Sequence, residues 1–259
     1  LGVDIFFVIS GYVITLSLTD RKSKNFWNLI VGFYKKRLKR LAPALIFFIF
    51  VISIFYCLID PNPISTLKTG QLSLIGLSNF YLTSISTDYF AQSTQLNAFT
   101  HTWSLSVEWQ FYIIFPFLIW FSGYGRDKEK GPKNLLTIIF ILSFLSIISF
   151  IFIYQTNESV AYFFMPTRFW EIGTGCMLFI GINKNFSFLK RLENISANFV
   201  VISLVATLFL PQTYFITSSI IVVLLTSVLI ICLTKGDKAY LIFTNKKIIF
   251  VGIISYSLY

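Results

Sequence analysis

Charge is scarce in this chain of 259 residues, and histidine and cysteine are scarcer. Acidic and basic residues together make up 12% of the sequence, about half the share usual in a soluble globular chain. Hydrophobic residues make up 56%, and the mean hydropathy is +0.75. That balance excludes a soluble domain of useful size and marks an integral membrane protein. The three cysteines, Cys57, Cys176 and Cys232, lie inside apolar runs without paired spacing. Neither a disulfide framework nor a metal site is suggested, and all three read as small buried hydrophobes. No Pro-rich or Gly/Ser-rich linker, internal repeat or low-complexity tract divides the chain, so one compact helical bundle is expected. Nor does a basic n-region followed by a small-residue cleavage site open it.

What is abundant is aromatic and basic. Aromatics reach 19%, mostly Phe, which suits lipid-facing surface, with Trp and Tyr for the interfacial belts. The net charge of +10 would suggest nucleic acid in a soluble chain; here it suggests cytoplasmic loops rich in Lys and Arg. Residues 20 to 40 carry Arg21, Lys22, Lys24, Lys35, Lys36, Arg37, Lys39 and Arg40, and the loops near 123–133, 183–195 and 235–247 (with Lys235 and Lys238) carry most of the rest.

Apolar spans are expected at 1–18, 41–60, 104–122, 134–154, 161–182, 196–212, 215–234 and from 248 onward, with a weaker candidate at 67–84. If the basic loops all face the cytoplasm, segment 67–103 crosses an even number of times. The weak candidate, interrupted by Gln71, Gly76, Ser78 and Asn79, then reads as re-entrant or shallow, and 85–103 as extracytoplasmic. The fold class expected is an all-α polytopic transmembrane helical bundle with about eight to nine membrane segments. Both ends read as cut from something longer, with a helix missing before Leu1.

The stretch Thr100 to Pro116, THTWSLSVEWQFYIIFP, sets ionisable residues at the mouth of an apolar helix. His101 is the only histidine, and Glu108 follows seven residues later. An unbroken helix would place them on one face about 10 Å apart; a break near Thr102 would bring them closer. Polar groups at such a place need partners or water.

Five stretches together resemble the acyltransferase 3 family of membrane O-acyltransferases: GVDIFFVISGYVIT at 2–15, RLKRLAPAL at 37–45, THTWSLSVEWQFY at 100–112, PTRFWEIGTG at 166–175 and VGIISYSLY at 251–259. An acidic residue usually follows the central Glu in that family; Trp109 stands here. The resemblance implies a single acyltransferase membrane domain, truncated at both ends, from a parent of about ten membrane segments. It also implies a preceding helix with an Arg and a His, the family's candidate general base, so His101 is not simply substituted for it.

By that resemblance the chain is an acyltransferase of the bacterial cytoplasmic membrane. It would move an acetyl or other short acyl group from an acyl-CoA donor to a hydroxyl of a carbohydrate or lipid-linked glycan, with no permanently bound cofactor and no nucleic-acid partner. Acyl transfer to a hydroxyl needs a base, oxyanion donors and a donor site. Glu108, His101, Arg168 and Glu171 are the candidate catalytic residues, and Arg37, Arg40 and Lys36 the candidates for the phosphates of coenzyme A. Bland alternatives stand beside each. The basic cluster also suits a positive-inside anchor or an anionic-lipid contact. Arg168 and Glu171, three residues apart, also suit a local packing pair. Asp4 also suits a helix cap, and Tyr112 and Tyr256 suit either oxyanion donors or belt residues. Two other classes remain open at this point: a proton-coupled transporter, disfavoured by the lack of inverted repeats, and a non-catalytic remnant.

Overall fold

A computed structural model of the chain describes residues 1–19, 25–85, 96–233 and 238–258. Arg21, Lys22, Lys24, Lys235 and residues 86–95 of the expected outer loop lie outside the described residues, as does the side chain of Tyr256. Helices and short turns make up the described residues, with no strand among them, so the protein is an all-α membrane bundle. Four helices are long and apolar enough to cross a membrane, Phe26–Ile59, Thr102–Ser122, Lys130–Thr156 and Phe215–Leu233, with shorter apolar helices at Gly2–Leu18 and Ala197–Thr207. The chain forms two compact units, one of residues 18–170 and one of residues 1–17 with 171–259.

In the first of these units, the helix expected at 41–60 begins at Phe26 and takes in the whole basic run. The cause is aromatic packing. Phe26 meets Phe117 and Trp120 at ring-centroid distances of 5.5 and 5.1 Å, and Phe33 meets Tyr112 at 5.9 Å. Phe48 then meets Phe99 and His101 at 5.8 and 5.3 Å. These contacts run in opposite senses along the two helices, so Phe26–Ile59 lies antiparallel to Thr102–Ser122.

The weak candidate at 67–84 is two helices, Ile64–Leu74 and Ser78–Ile85, as its interruptions imply. Gly76 sits between them at φ 71°, a left-handed conformation that suits glycine. Hydrogen bonds bind the pair to the Thr102–Ser122 helix. The Gln110 amide donates to the Gly76 carbonyl (2.9 Å) and to Asn79 Oδ1 (2.8 Å), and Asn79 Nδ2 donates to the Phe163 carbonyl (3.1 Å). Deeper in, Thr102 Oγ1 lies 2.6 Å from Ser73 Oγ and 3.2 Å from Ser78 Oγ, and Ser78 Oγ lies 2.7 Å from Ser106 Oγ. All four hydroxyls are buried and satisfy one another.

The expected span at 161–182 is also divided. Asn157 caps Glu158–Phe163 by accepting from the Val160 N–H at 3.0 Å, Phe164 is extended, and Met165–Asn183 follows with Pro166 in its first turn, where its missing N–H costs nothing. Before Lys130–Thr156, Asp127 accepts the N–H groups of Glu129 (3.0 Å) and Lys130 (2.9 Å), which hold its carboxyl below the usual range.

In the other unit, the Gly2–Thr19 helix crosses Met165–Asn183 at backbone contact. A Cβ on Gly11 would fall 1.9 Å from the Ile172 carbonyl oxygen, and one on Gly175 would fall 2.0 Å from that of Val8. The Cys176 thiol donates to the Gly11 carbonyl (3.3 Å), and Tyr12 packs edge-on to Phe179. Cys232 and Ala197 anchor a small core where Ala197–Thr207 meets Phe215–Leu233. Cys176 and Cys232 are therefore the buried hydrophobes expected, whereas Cys57 is exposed on the apolar flank of its helix. Asp4 is buried in the first turn of its helix.

Candidate active site

Thr102–Ser122 carries the site's central residues, and helical geometry already holds at His101, with φ −59° and ψ −18°. No break at Thr102 draws His101 toward Glu108, so the two are separated by about 10 Å of rise. His101 is half-buried against Phe48, and burial holds its imidazole below the usual histidine range. Glu108 is buried, at 5% exposure. Its carboxylate Oε1 accepts the hydroxyl of Tyr112, one turn on.

Tyr112 is fixed from three directions. Pro116 has no N–H to give the carbonyl four residues before it, which is that of Tyr112. The Tyr34 hydroxyl reaches across from Phe26–Ile59 to that carbonyl, at 3.3 Å from it and from the carbonyl of Ile113. The Arg37 guanidinium lies over the Tyr112 ring, 5.0 Å from its centroid, and 5.9 Å from that of Phe33. A cation against a ring face gains electrostatically, more so where water is partly excluded. The phenol hydroxyl read from sequence as a possible oxyanion donor is thus engaged by Glu108.

Arg37 and Arg40 lie one helical turn apart, and Lys36 and Arg40 at the i, i+4 spacing that shares a face. Arg37 is half-buried, while Lys36 and Arg40 are exposed. The sequence places this cluster at the mouth of its helix. Because the helix starts at Phe26, Arg37 instead meets the midpoint of the neighbouring one, ten residues from either end of Thr102–Ser122.

Arg168 is buried to 1% exposure. Its guanidinium carbon lies 6.0, 5.1 and 4.8 Å from the ring centroids of Trp103, Phe150 and Tyr162, and Nε donates to the Tyr162 carbonyl at 3.1 Å. The rings of this cage come from three helices; Tyr162 lies six residues before Arg168, while Trp103 and Phe150 are distant from it in sequence and no local spacing announces them. Glu171, also buried, follows one turn later on Met165–Asn183 and belongs to the other compact unit. Glu108, Tyr112 and Arg37 are therefore brought together; His101 lies a separate stretch of helix away, and Arg168 is held by its own aromatic shell.

The family described as Acyltransferase domain matches residues 1–259. O-acetyltransferase OatA of Staphylococcus aureus (strain NCTC 8325 / PS 47) is 38% identical over 181 residues, covering 69% of this chain and 29% of that protein. An uncharacterized protein of Haemophilus influenzae (strain ATCC 51907 / DSM 11121 / KW20 / Rd) is 35% identical over 217 residues, covering 80% and 86%. Peptidoglycan O-acetyltransferase OatA of Listeria monocytogenes serovar 1/2a (strain ATCC BAA-679 / EGD-e) is 29% identical over 274 residues, covering 100% of this chain and 43% of that protein. The chain thus spans less than half the length of either OatA relative. No solved structure matches it.

Proposed function

This chain belongs to the acyltransferase 3 family, and from that premise we propose that it is the membrane domain of an O-acyltransferase moving an acetyl or other short acyl group from acyl-CoA to a hydroxyl of a carbohydrate or lipid-linked glycan. The observation that carries the proposal is the buried Glu108 carboxylate, bonded to a tyrosine that itself lies against an arginine of the basic cluster. A buried carboxylate beside a cation-lined face is what transfer from a polyanionic thioester calls for. The donor's phosphates bind to Arg37, Arg40 and Lys36, bringing its thioester toward Glu108. The acceptor hydroxyl attacks the thioester carbonyl, its proton passing to a base that Glu108 orients or to Glu108 itself. A C–O bond forms, the C–S bond breaks, and the proton leaves with the coenzyme A thiol.

His101, at the far end of the same helix, is assigned to the acceptor side. Arg168 and Glu171 complete the candidate set; Arg168 fixes Trp103 at the start of the Glu108 helix, which gives it a supporting part. The name of the Listeria relative points to peptidoglycan as one acceptor of the right class. Apolar helices and basic connecting segments suit a multi-pass protein of the bacterial cytoplasmic membrane, with both compact units in one acyltransferase domain.

The test is transfer of radiolabel from acetyl-coenzyme A to glycan in membranes holding the full-length protein that carries this chain. Glu108→Gln and Arg40→Ala should each abolish transfer while membrane insertion is unchanged. Wild-type rates in both would overturn the site assignment, and an inert wild type would overturn the activity.

A further inference from the structure

We propose that Tyr112 is a positioning residue that couples the donor-binding arginine to the buried carboxylate, an inference that rests on the function proposed above. The argument begins with Pro116. By removing one helical hydrogen bond it exposes the Tyr112 carbonyl, and Tyr34 of the neighbouring helix takes that carbonyl up. The backbone at Tyr112 is thereby tied to the helix that bears Arg37 and Arg40. The side chain repeats the connection, its ring lying against Phe33 and Arg37 and its hydroxyl donating to Glu108.

Any buried tyrosine needs a partner for its hydroxyl, but this one takes a carboxylate and not a backbone carbonyl. One serving an interfacial belt would turn its hydroxyl to water, and Tyr112 is buried to 5% exposure. The phenol instead spans the space between a cation and a carboxylate that do not share a helix. Its consequence is orientation: Glu108 is held in one rotamer by a donor whose own position answers to Arg37. A donor phosphate drawing on Arg37 acts on the ring beneath it, and through the hydroxyl on the carboxylate.

The experiment uses the purified full-length protein with acetyl-coenzyme A as donor. Tyr112→Phe keeps the ring and removes the hydroxyl, so kcat should fall at least tenfold while KM for the donor stays within about twofold, because misplacing a reacting group costs turnover before it costs binding. Tyr112→Leu removes the ring as well, so KM should rise in addition. Arg37→Gln combined with Tyr112→Phe should lower kcat by less than the product of the single effects, since one connection is cut twice. Equilibrium binding of coenzyme A to Tyr112→Phe at wild-type affinity shows that this variant is folded, and loss of that binding would itself overturn the proposal by making Tyr112 structural. Wild-type kcat in Tyr112→Phe, equal changes in kcat and KM for Phe and Leu, or multiplicative effects in the double variant would each overturn it, leaving the proposed function standing. A wild type inert with every acyl-coenzyme A tried would overturn the proposed function and this inference together.

Discussion

Replacing Gly76 decides between two structures for residues 64–85, because its effect changes sign between them. If the segment were one continuous span, Gly76→Ala would remove a poor helix former from a helix interior and stabilise the protein by about 1 kcal/mol. In the structure Gly76 sits at φ 71°, where an L residue other than glycine costs roughly 1–2 kcal/mol. An added Cβ would also approach Trp109 Cβ to 3.1 Å, and because that atom is fixed to its helix backbone the two segments must part slightly. Together these give a loss of about 2 kcal/mol, or roughly 4–8 °C in melting temperature for a chain of this size. Asparagine sharpens the test. It tolerates the left-handed region better than alanine but is the poorer helix former, so Gly76→Asn should be milder than Gly76→Ala in the divided structure and worse in a continuous span. Thermal unfolding of the detergent-solubilised protein, followed by loss of the monodisperse size-exclusion peak, reads both variants. A Gly76→Ala protein that melts above wild type, with Gly76→Asn below Gly76→Ala, would refute the division and require a through-going helix.

Three further outcomes follow from the packing. Gly175→Ala should destabilise by about 2 kcal/mol, since overpacking against a rigid carbonyl at the upper end of the usual ~1–3 kcal/mol outweighs the ~1 kcal/mol helix preference of alanine; Gly2→Ala, with nothing near its Cβ, is the control, and equal melting temperatures would remove the close helix crossing. Thr102→Val should cost about 0.5–1.5 kcal/mol by removing one hydroxyl from the network, since Ser73 keeps its bond to the Thr69 carbonyl and Ser78 its bond to Ser106, and a melting temperature equal to wild type would count against the network. For His101 the folded pKa lies below the unfolded one, so its neutral form's stability is complete above the ordinary histidine value and is lost as pH falls toward the folded value. Melting temperatures between pH 7 and pH 5 should therefore drop less steeply in His101→Gln, and parallel slopes would count against a buried neutral imidazole.

What the sequence made legible was whatever depends on neighbours along the chain. The spans at 104–122, 134–154 and 215–234, the first-turn place of Pro166 and the break in the weak segment all follow from hydropathy and from residues with fixed backbone demands. Glu108 and Tyr112, four residues apart, are also on one face by spacing alone. What could not be read is the register between helices. Nothing local to Arg37 says that Phe26 will pack on Trp120, and it is that contact which extends the helix and carries Arg37 to the level of Tyr112. The aromatic shell of Arg168 has the same character, being assembled from Trp103, Phe150 and Tyr162. That Tyr34 would take up the carbonyl which Pro116 leaves open could not be read either.

The register of those two helices bears on where water reaches. From Leu41 to Ile59 the long helix carries no charge, and nineteen residues span about 28 Å, enough for the hydrocarbon. The preceding turns carry Lys35, Lys36, Arg37, Lys39 and Arg40 in six residues, and all but Arg37 are exposed. A cation facing lipid tails at depth is costly, and four exposed ones within six residues more so. Yet these turns lie against the middle of Thr102–Ser122, whose Ile113, Phe117 and Phe121 are exposed and apolar. Both conditions hold together if the 112–122 half of the Thr102–Ser122 helix has one flank turned to lipid and another to water or to an anionic ligand. Tyr112 stands on the boundary between them. Its buried hydroxyl on Glu108 and its ring under Arg37 put the buried carboxylate and the half-buried cation within one side chain of each other, the separation that the transfer proposed above would require.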